Sequence, residues 1–325
     1  MEPLLAQRLY QKLITAEHPV LLLDSRLDGD SLGSCLAVVD HLLSMGKKVH
    51  IYSPEKIPER YQFLPHIHLC SSDLSVLQHP SIDLIVFFDC SDANFFKQMT
   101  QAIPTHPAII NIDHHTTNPL FGHYNYVVTH ASATAAVVYS IWHQNQIVPS
   151  KSAATCLLTG LCFDTTSFTN DATDQQAFFI ASELIRLGAD SKQVVRSIVA
   201  NRSIATLRVW GIALERLRAH KTYQSVSTFM TRSDIETHGV TDDEIDGLAN
   251  FLHFVSDAPT LFLLKETADG AVKASLRSTS RDVSKIAKLF GGGGHKKAAG
   301  FTIPDSHLAL DETQGWKVVF DQKAC

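Results

Sequence analysis

The chain has 325 residues, of which 45% are hydrophobic and 19% charged, with a formal charge of -5. This length suits two compact domains, and the composition excludes a disordered chain. The negative balance excludes a polycation that coats nucleic acid, so an anionic ligand must be met by a local patch or by metal ions. In chain order, residues 1–19 carry charges in a helical pattern and lack the build of a signal peptide. Val20–Asp24 (VLLLD) predicts a buried strand, Ser31–Met45 a helix stopped by Gly46, and Lys48–Tyr52 a second strand. Ile82–Asp89 (IDLIVFFD) predicts a third strand and Ala108–Asp113 (AIINID) a fourth. Continuous apolar strands separated by helices predict a parallel sheet covered on both faces.

Helical patterns follow over Ala131–Gln146, Ser152–Leu161, Asp174–Leu187 and Ala205–Ala219, the last read as a bridge. The character then changes, with strands expected at Ser225–Met230, Thr260–Lys265 and Ala271–Arg277 and helices at Asp243–Phe251 and Asp282–Phe290. The predicted fold class is α/β. A parallel-sheet N-terminal domain spans 1–190, a helical linker 191–220, and a smaller α/β or α+β domain 221–325, with the active site expected in a cleft between the domains. The cysteines at 35, 70, 90, 156, 162 and 325 form no C-x-x-C pair and lie mostly in apolar runs, which reads as packed thiols in a reducing cytosol. Cys325 belongs to no prenylation box, and no apolar run approaches the roughly 20 residues of a membrane span.

Three of the four predicted strands run into acidic residues. Asp24 ends the first and is followed by Asp28 and Asp30; Asp89 ends the third; Asp113-His114-His115 ends the fourth. In an open parallel sheet, ligands bind beyond the carboxyl ends of the strands. An aspartate after a strand is ordinarily a turn former or helix cap, and Asp30 could cap the helix that starts near Ser31. Three such ends at one sheet edge are different, because crowded carboxylates repel one another and divalent cations relieve that repulsion. Carboxylate oxygens with few imidazoles and no thiolate favour Mn²⁺ or Mg²⁺ over zinc, with Cys90 more plausible as a packed thiol than as a soft ligand.

Asp28-Gly29-Asp30-Ser31-Leu32-Gly33-Ser34, Asp89 in FFDCSD, Asp113-His114-His115 with Asn118, and Thr159-Gly160 through Asp164-Thr165 together resemble the four motifs of the DHH phosphoesterases. Further on, Ser275-Leu276-Arg277-Ser278, Gly291-Gly292-Gly293-Gly294-His295 and Ala298-Ala299-Gly300 resemble the associated DHHA1 domain, so the likeness covers nearly the whole chain. The resemblance implies two Mn²⁺ ions, with Mg²⁺ as the substitute, that lower the pKa of a water for attack on phosphorus. It places Asp28 on the first ion, Asp30 and His114 on the second, Asp89 and Asp164 on both, and His115 at the leaving group. Asp24 stands where the family usually has histidine, and Leu27 where proline is common. Asp24 is expected to remain a ligand.

The same resemblance makes Asn118, Ser275, Arg277, Ser278, Gly292, Gly293, Gly294 and His295 substrate-binding residues. The residues themselves support a local anion site. Between Ala271 and Lys297 seven Lys or Arg face one acid, Asp282. Lys285 and Lys288 read as a solvated helix face, whereas Arg277 lies mid-strand among small residues, where a guanidinium can grip phosphate. Four successive glycines forbid regular structure and let backbone N–H groups approach an anion. Phe88, Phe168 and Phe290 could stack a base, although core packing accounts for each. The resemblance implies a short oligoribonucleotide or 3′-phosphoadenosine 5′-phosphate as substrate, while the single short basic segment excludes long duplexes, membranes are excluded and a homodimer is left open. A cyclic or linear dinucleotide phosphodiesterase stays open as an alternative, as does a non-catalytic nucleotide-binding regulator.

Overall fold

The computed structural model describes residues 3–25, 27–200, 202–311 and 315–321, so Cys325 lies outside the described residues. The chain divides into two compact units, 1–201 and 202–325.

In the first unit, β1 (Pro19–Leu23), β2 (His50–Tyr52), β3 (Cys70–Ser71), β4 (Leu84–Phe88), β5 (Ala108–Asp113) and β6 (Tyr124–Val127) form one parallel sheet in the order β3-β2-β1-β4-β5-β6. Every pairing is parallel. The four strands expected from sequence are present. β3 and β6 were missed: β3 has two residues, and β6 (YNYV) carries Asn125 among its tyrosines, so neither shows an apolar run. Alternate side chains of β1 enter two cores. Leu21 and Leu23 pack with helices α1 (Pro3–Thr15), α2 (Gly29–Ser44), α4 (Thr134–Gln144), α5 (Lys151–Asp164) and α6 (Gln175–Arg186). Val20 and Leu22 pack with α3 (Ala93–Gln101). A short α7 (Ser191–Val195) follows.

Chain direction across the sheet reverses between β1 and β4, the switch point where doubly wound sheets open a crevice. The register there is level, with Leu23 paired to Phe88 and Phe88 to Ile112. The next residues, Asp24, Asp89 and Asp113, therefore leave three adjacent strands at one height, in rows about 4.8 Å apart. Helices α2 and α5 pack backbone to backbone beside this edge. A Cβ added at Gly33 would lie 2.3 Å from the Cys156 carbonyl and 2.9 Å from the Gly160 amide. Gly33→Ala is thus expected to cost at least about 1–3 kcal/mol of stability, read as a lowered Tm.

In the second unit, β7 (Arg218–His220), β8 (Ser225–Met230), β9 (Thr260–Glu266), β10 (Val272–Ser278), β11 (Gly293–Gly294) and β12 (Ala298–Ile303) form a mixed sheet in the order β11-β12-β10-β9-β8-β7. Helices α8 (Ile204–Glu215), α9 (Arg232–Thr237), α10 (Asp242–Ile245) and α11 (Leu248–Val255) cover one face. Helix α12 (Val283–Leu289) and the hairpin β13 (Ser306–Asp311) to β14 (Gly315–Phe320) supply Ala287, Leu308 and Trp316 to the other. The helix read as a bridge buries Val209, Trp210 and Ala213 in this unit's core and ends at Glu215, with Arg218–His220 forming a strand. The single helix expected over 243–251 is two helices, broken at Gly247, whose φ of 98° an L side chain would resist. The glycine run is more regular than expected, since Gly293 and Gly294 pair with Gly300 and Ala299. A side chain at Gly292 would collide with the Gly300 carbonyl, so glycine here permits close strand approach.

Candidate active site

The edge of the first unit gathers the carboxylates that the sequence left far apart. Asp28, not Asp30, caps α2; its Oδ1 accepts the amides of Asp30 at 3.0 Å and Ser31 at 2.9 Å. Asp30 is fully buried and reaches the start of α4, which has no side-chain cap of its own. Its Oδ2 accepts the Thr134 amide at 2.6 Å and its Oδ1 the Ala135 amide at 2.9 Å. Asp89 leaves β4 with φ 58° and accepts the Thr134 hydroxyl at 2.9 Å. Asp164 ends α5. Asp24 is buried at the end of β1, where its amide donates to Ser31 Oγ at 3.3 Å.

His114 and His115 enter this cluster from β5. His114 has Nδ1 3.1 Å from the Ala131 carbonyl, which sets its ring, and Nε2 2.9 Å from Asp164 Oδ2 and 3.6 Å from Asp89 Oδ1. Nε2 is buried and makes ion-pair contacts without hydrogen-bond alignment. His115 Nδ1 lies 2.8 Å from Asp113 Oδ1, which also accepts the amides of His114 and His115, and 3.5 Å from Asp89 Oδ1. Asn118 Nδ2 donates to Asp113 and to the Cys90 carbonyl, and its Oδ1 accepts from Asn111 and the Leu120 amide. Its side chain is therefore tied to the protein and braces Asp113.

The electrostatics follow from crowding in a dry place. Burial, then the carboxylates of Asp164 and Asp24, push Asp28 up to about 6 despite its two backbone amides. Burial and neighbouring carboxylates likewise raise Asp30 and Asp89 well above the ordinary range. Burial alone would depress His114, but Asp164 beside it and Asp30 raise it to about 9. Burial would raise Asp113 too, yet the hydrogen bonds from His115 and Asn118 outweigh it and hold this group low. One acid, Asp113, is thus kept ionised by its donors, while burial and neighbouring carboxylates push Asp28, Asp30 and Asp89 towards the neutral form.

The donor set fits a divalent cation. Donor atoms of Asp89, His114 and His115 lie within 4.8 Å of one another, as do those of Asp30, His114 and Asp164. His114, whose Nε2 has no aligned hydrogen-bond partner, belongs to both groups. Carboxylate oxygens and imidazole without thiolate suit a hard cation. Cys90 is packed, and burial pushes its thiol up, so it offers no thiolate.

Sequence reasoning missed Thr134, 104 residues from Asp30, because only the fold brings α4 to this edge. Its amide and hydroxyl clamp two carboxylates at once. Thr134→Val is expected to weaken divalent-cation affinity by about 10–100-fold, and Thr134→Ser to restore it, in a calorimetric titration. It also missed why residue 160 is glycine. A Cβ there would stand 2.6 Å from Asp30 Oδ1.

The second unit holds a cavity of about 460 Å³ on the face of β8, β9 and β10. Of the residues expected to bind substrate, Ser275, Arg277, Gly293 and Gly294 line it. Burial pushes the Arg277 guanidinium below its ordinary value; its Nε donates to Asn250 Oδ1 at 2.6 Å. Gly292 and His295 are not among the lining residues; the Ala298 amide closes the β-turn on the His295 carbonyl at 3.3 Å, and the His295 amide donates back to the Ala298 carbonyl at 2.8 Å. Ser278 lies apart from the other expected residues. Strand alternation turns it to the opposite face of β10, fully buried, where its hydroxyl donates to the Pro259 carbonyl at 2.8 Å and accepts two turn amides.

Residues 20–161 match the DHH family N-terminal domain, and residues 209–314 match the DHHA1 domain. The chain is 26% identical over 295 residues to the bifunctional oligoribonuclease and PAP phosphatase NrnA of Thermus thermophilus, covering 90% of this chain and 85% of that protein. It is 30% identical over 193 residues to the probable bifunctional oligoribonuclease and PAP phosphatase NrnA of Streptococcus mutans, covering 59% and 61%. An exopolyphosphatase-related protein from Bacteroides fragilis shares the fold, with a TM-score of 0.84 at 23% identity over 92% of this chain and 91% of that one. No helix among the described residues is long and apolar enough to cross a membrane.

Proposed function

We propose, for a chain that belongs to the DHH phosphoesterase family and carries a DHHA1 domain after the DHH domain, that it hydrolyses short oligoribonucleotides to nucleoside monophosphates and 3′-phosphoadenosine 5′-phosphate to AMP. The observation that carries this reading is the level register that delivers Asp24, Asp89 and Asp113-His114-His115 to one sheet edge beside Asp28, Asp30 and Asp164. The names of the Thermus and Streptococcus relatives supply the substrate class.

In this reading Asp24, Asp28, Asp30, Asp89, His114 and Asp164 hold two divalent cations, with manganese the expected metal. Bound there, the cations supply an activated water and neutralise charge on the phosphoryl oxygens. The protein's part is positioning. Asp113 accepts from His115 Nδ1 and so fixes the ring with Nε2 as the atom that meets the leaving oxygen. Thr134 keeps Asp30 and Asp89 at a set spacing. Ser275, Arg277, Gly293 and Gly294 bind the anionic end of the substrate. The cysteines among the described residues are unpaired and mostly buried, which suits a reducing cytoplasm.

The test is a panel of RNA dimers to pentamers, 3′-phosphoadenosine 5′-phosphate and cyclic and linear dinucleotides, assayed with Mn²⁺ and a His114→Ala control. Turnover of the short RNAs and the bisphosphate that vanishes in the control is the expected result. A folded protein that turns over only cyclic dinucleotides, or nothing, would overturn the reading.

A further inference from the structure

One more segment leaves the carboxyl edge of the first sheet. β2 runs parallel to β1 with Tyr52 opposite Leu22, so the chain after β2 emerges on the same edge as Asp24, one strand away. It forms a 3₁₀ turn at Glu59–Tyr61. Between Ser53 and Leu69 the Lys and Arg residues are Lys56, which is exposed, and Arg60, which is half-buried. Tyr61 is 1% exposed and packs in the core shared by α2 and α5. Its hydroxyl is buried without an aligned hydrogen-bond partner among the described residues, and so is Arg60 Nε. Arg60 lies against the tyrosine ring, its guanidinium carbon 4.9 Å from the ring centroid. Burial pushes the Tyr61 phenol up to about 12; Arg60 opposes that rise, and the carboxylates of Asp28 and Asp164 add to it. The turn therefore stands within electrostatic reach of two residues of the cation site, and approaches them from the side of β2.

Buried donors without partners cost free energy, and each such group calls for a use. Among the described residues no carboxylate pairs with Arg60. A guanidinium in this place serves either as a fixed counter-charge for the acids or as a grip on an incoming anion. The first use fails, since Asp28, Asp30 and Asp89 remain pushed towards the neutral form with Arg60 beside them. The second suits it, because the charge is permanent, the planar fork matches phosphoryl oxygens and the aromatic ring seats it. We propose that Arg60 is a further catalytic residue, whose guanidinium donates to a non-bridging oxygen of the phosphoryl group bound at the cation site, and that Tyr61 is its positioning residue. Charge grows on that oxygen during attack, so a donor held ready there favours the transition state. This deepens the proposed function and rests on its reading of this edge as a phosphoesterase site.

The experiment titrates the full chain calorimetrically with two ligands, Mn²⁺ alone and then inorganic phosphate onto the Mn²⁺-loaded protein. Arg60→Met is expected to weaken phosphate about tenfold or more, the size of a lost charged hydrogen bond, without weakening Mn²⁺. Arg60→Lys should recover only part of the loss, because an ammonium lacks the fork. Tyr61→Leu should weaken phosphate in the same sense and spare Mn²⁺, and Tyr61→Phe should restore it. Lys56→Met, which removes a charge from an exposed position on the same segment, should alter neither ligand. On a short RNA, Arg60→Met should lower kcat about a hundredfold and change KM far less, because other residues hold the anionic end of the substrate. Phosphate affinity unchanged in Arg60→Met, or phosphate and Mn²⁺ weakened together, would overturn the proposal. Phosphate binding is read without hydrolysis, so a chain that loses phosphate with Arg60 but turns over no RNA would refute the proposed function and leave this anion contact standing.

Discussion

Replacing Asp89 with asparagine is expected to lower turnover of a short RNA by about a thousandfold, the upper range for losing one electrostatic contact at a reacting centre. Asp89 is the carboxylate on which the site converges. Within 3.6 Å of its Oδ1 lie His114 Nε2, His115 Nδ1 and the Thr134 hydroxyl. Asparagine keeps the shape and removes the charge a cation requires. The same substitution removes one member of a crowded buried cluster, so the metal-free variant should unfold at a higher temperature than the metal-free original protein. Activity and stability move in opposite directions only if the carboxylates are held together for a cation. Parallel measurement of kcat and Tm decides it. A variant that keeps more than a tenth of the original activity would exclude Asp89 from the machinery.

The second large effect is a reversal of pH dependence by metal. Asp28, pushed up to about 6 in the fold, lies near 3.9 in an unfolded chain. A carboxyl whose folded value is raised contributes stability that is complete below its unfolded value and is lost as pH rises through the folded one. Asp30 and Asp89 are raised in the same sense. His114, raised to about 9, also favours the folded state below its unfolded value and loses that contribution as pH rises through 9. All four act in one direction. The metal-free protein should therefore lose stability between about pH 4 and 6, on the order of 2–3 kcal/mol from Asp28 alone, and continue to lose it towards pH 9. Asp113, held low, acts in the opposite sense but below this window. Saturating Mn²⁺ should abolish the decline, because the ion favours the ionised carboxylates and neutral imidazole. Thermal unfolding from pH 5 to 8, with chelator and with Mn²⁺, gives the answer. A metal-free Tm that stays level or rises across that range would contradict the electrostatic account.

Much of the first unit was legible because its strands are continuous apolar runs ending in acids. VLLLD, LIVFFD and AIINID announce both the buried sheet and the chemistry at its edge. The helices α2, α4, α5 and α6 lie within a few residues of their expected spans; Asp28 and Asp174 cap α2 and α6, and Ser150 caps α5. The second unit was less legible. Its outer strands are short, glycine-bearing or polar, and a single glycine with positive φ split a helix that periodicity had joined. The substrate residues fared unevenly for one reason. Neighbours in sequence such as Arg277 and Ser278 point to opposite faces of a strand, so a motif names a place without assigning a side.

The sequence alone determined which side chains exist to hold a cation and that strands would carry them to a common edge, since local apolar runs and their acidic ends are properties of contiguous residues. Tertiary structure alone decided the level alignment of Asp24, Asp89 and Asp113, the hold of Thr134 on Asp30 and Asp89, and the inward turn of Asn118 and Ser278. Those depend on strand register and helix packing, which are settled by surfaces closing on one another across tens to a hundred residues of chain, and no local pattern encodes that closure.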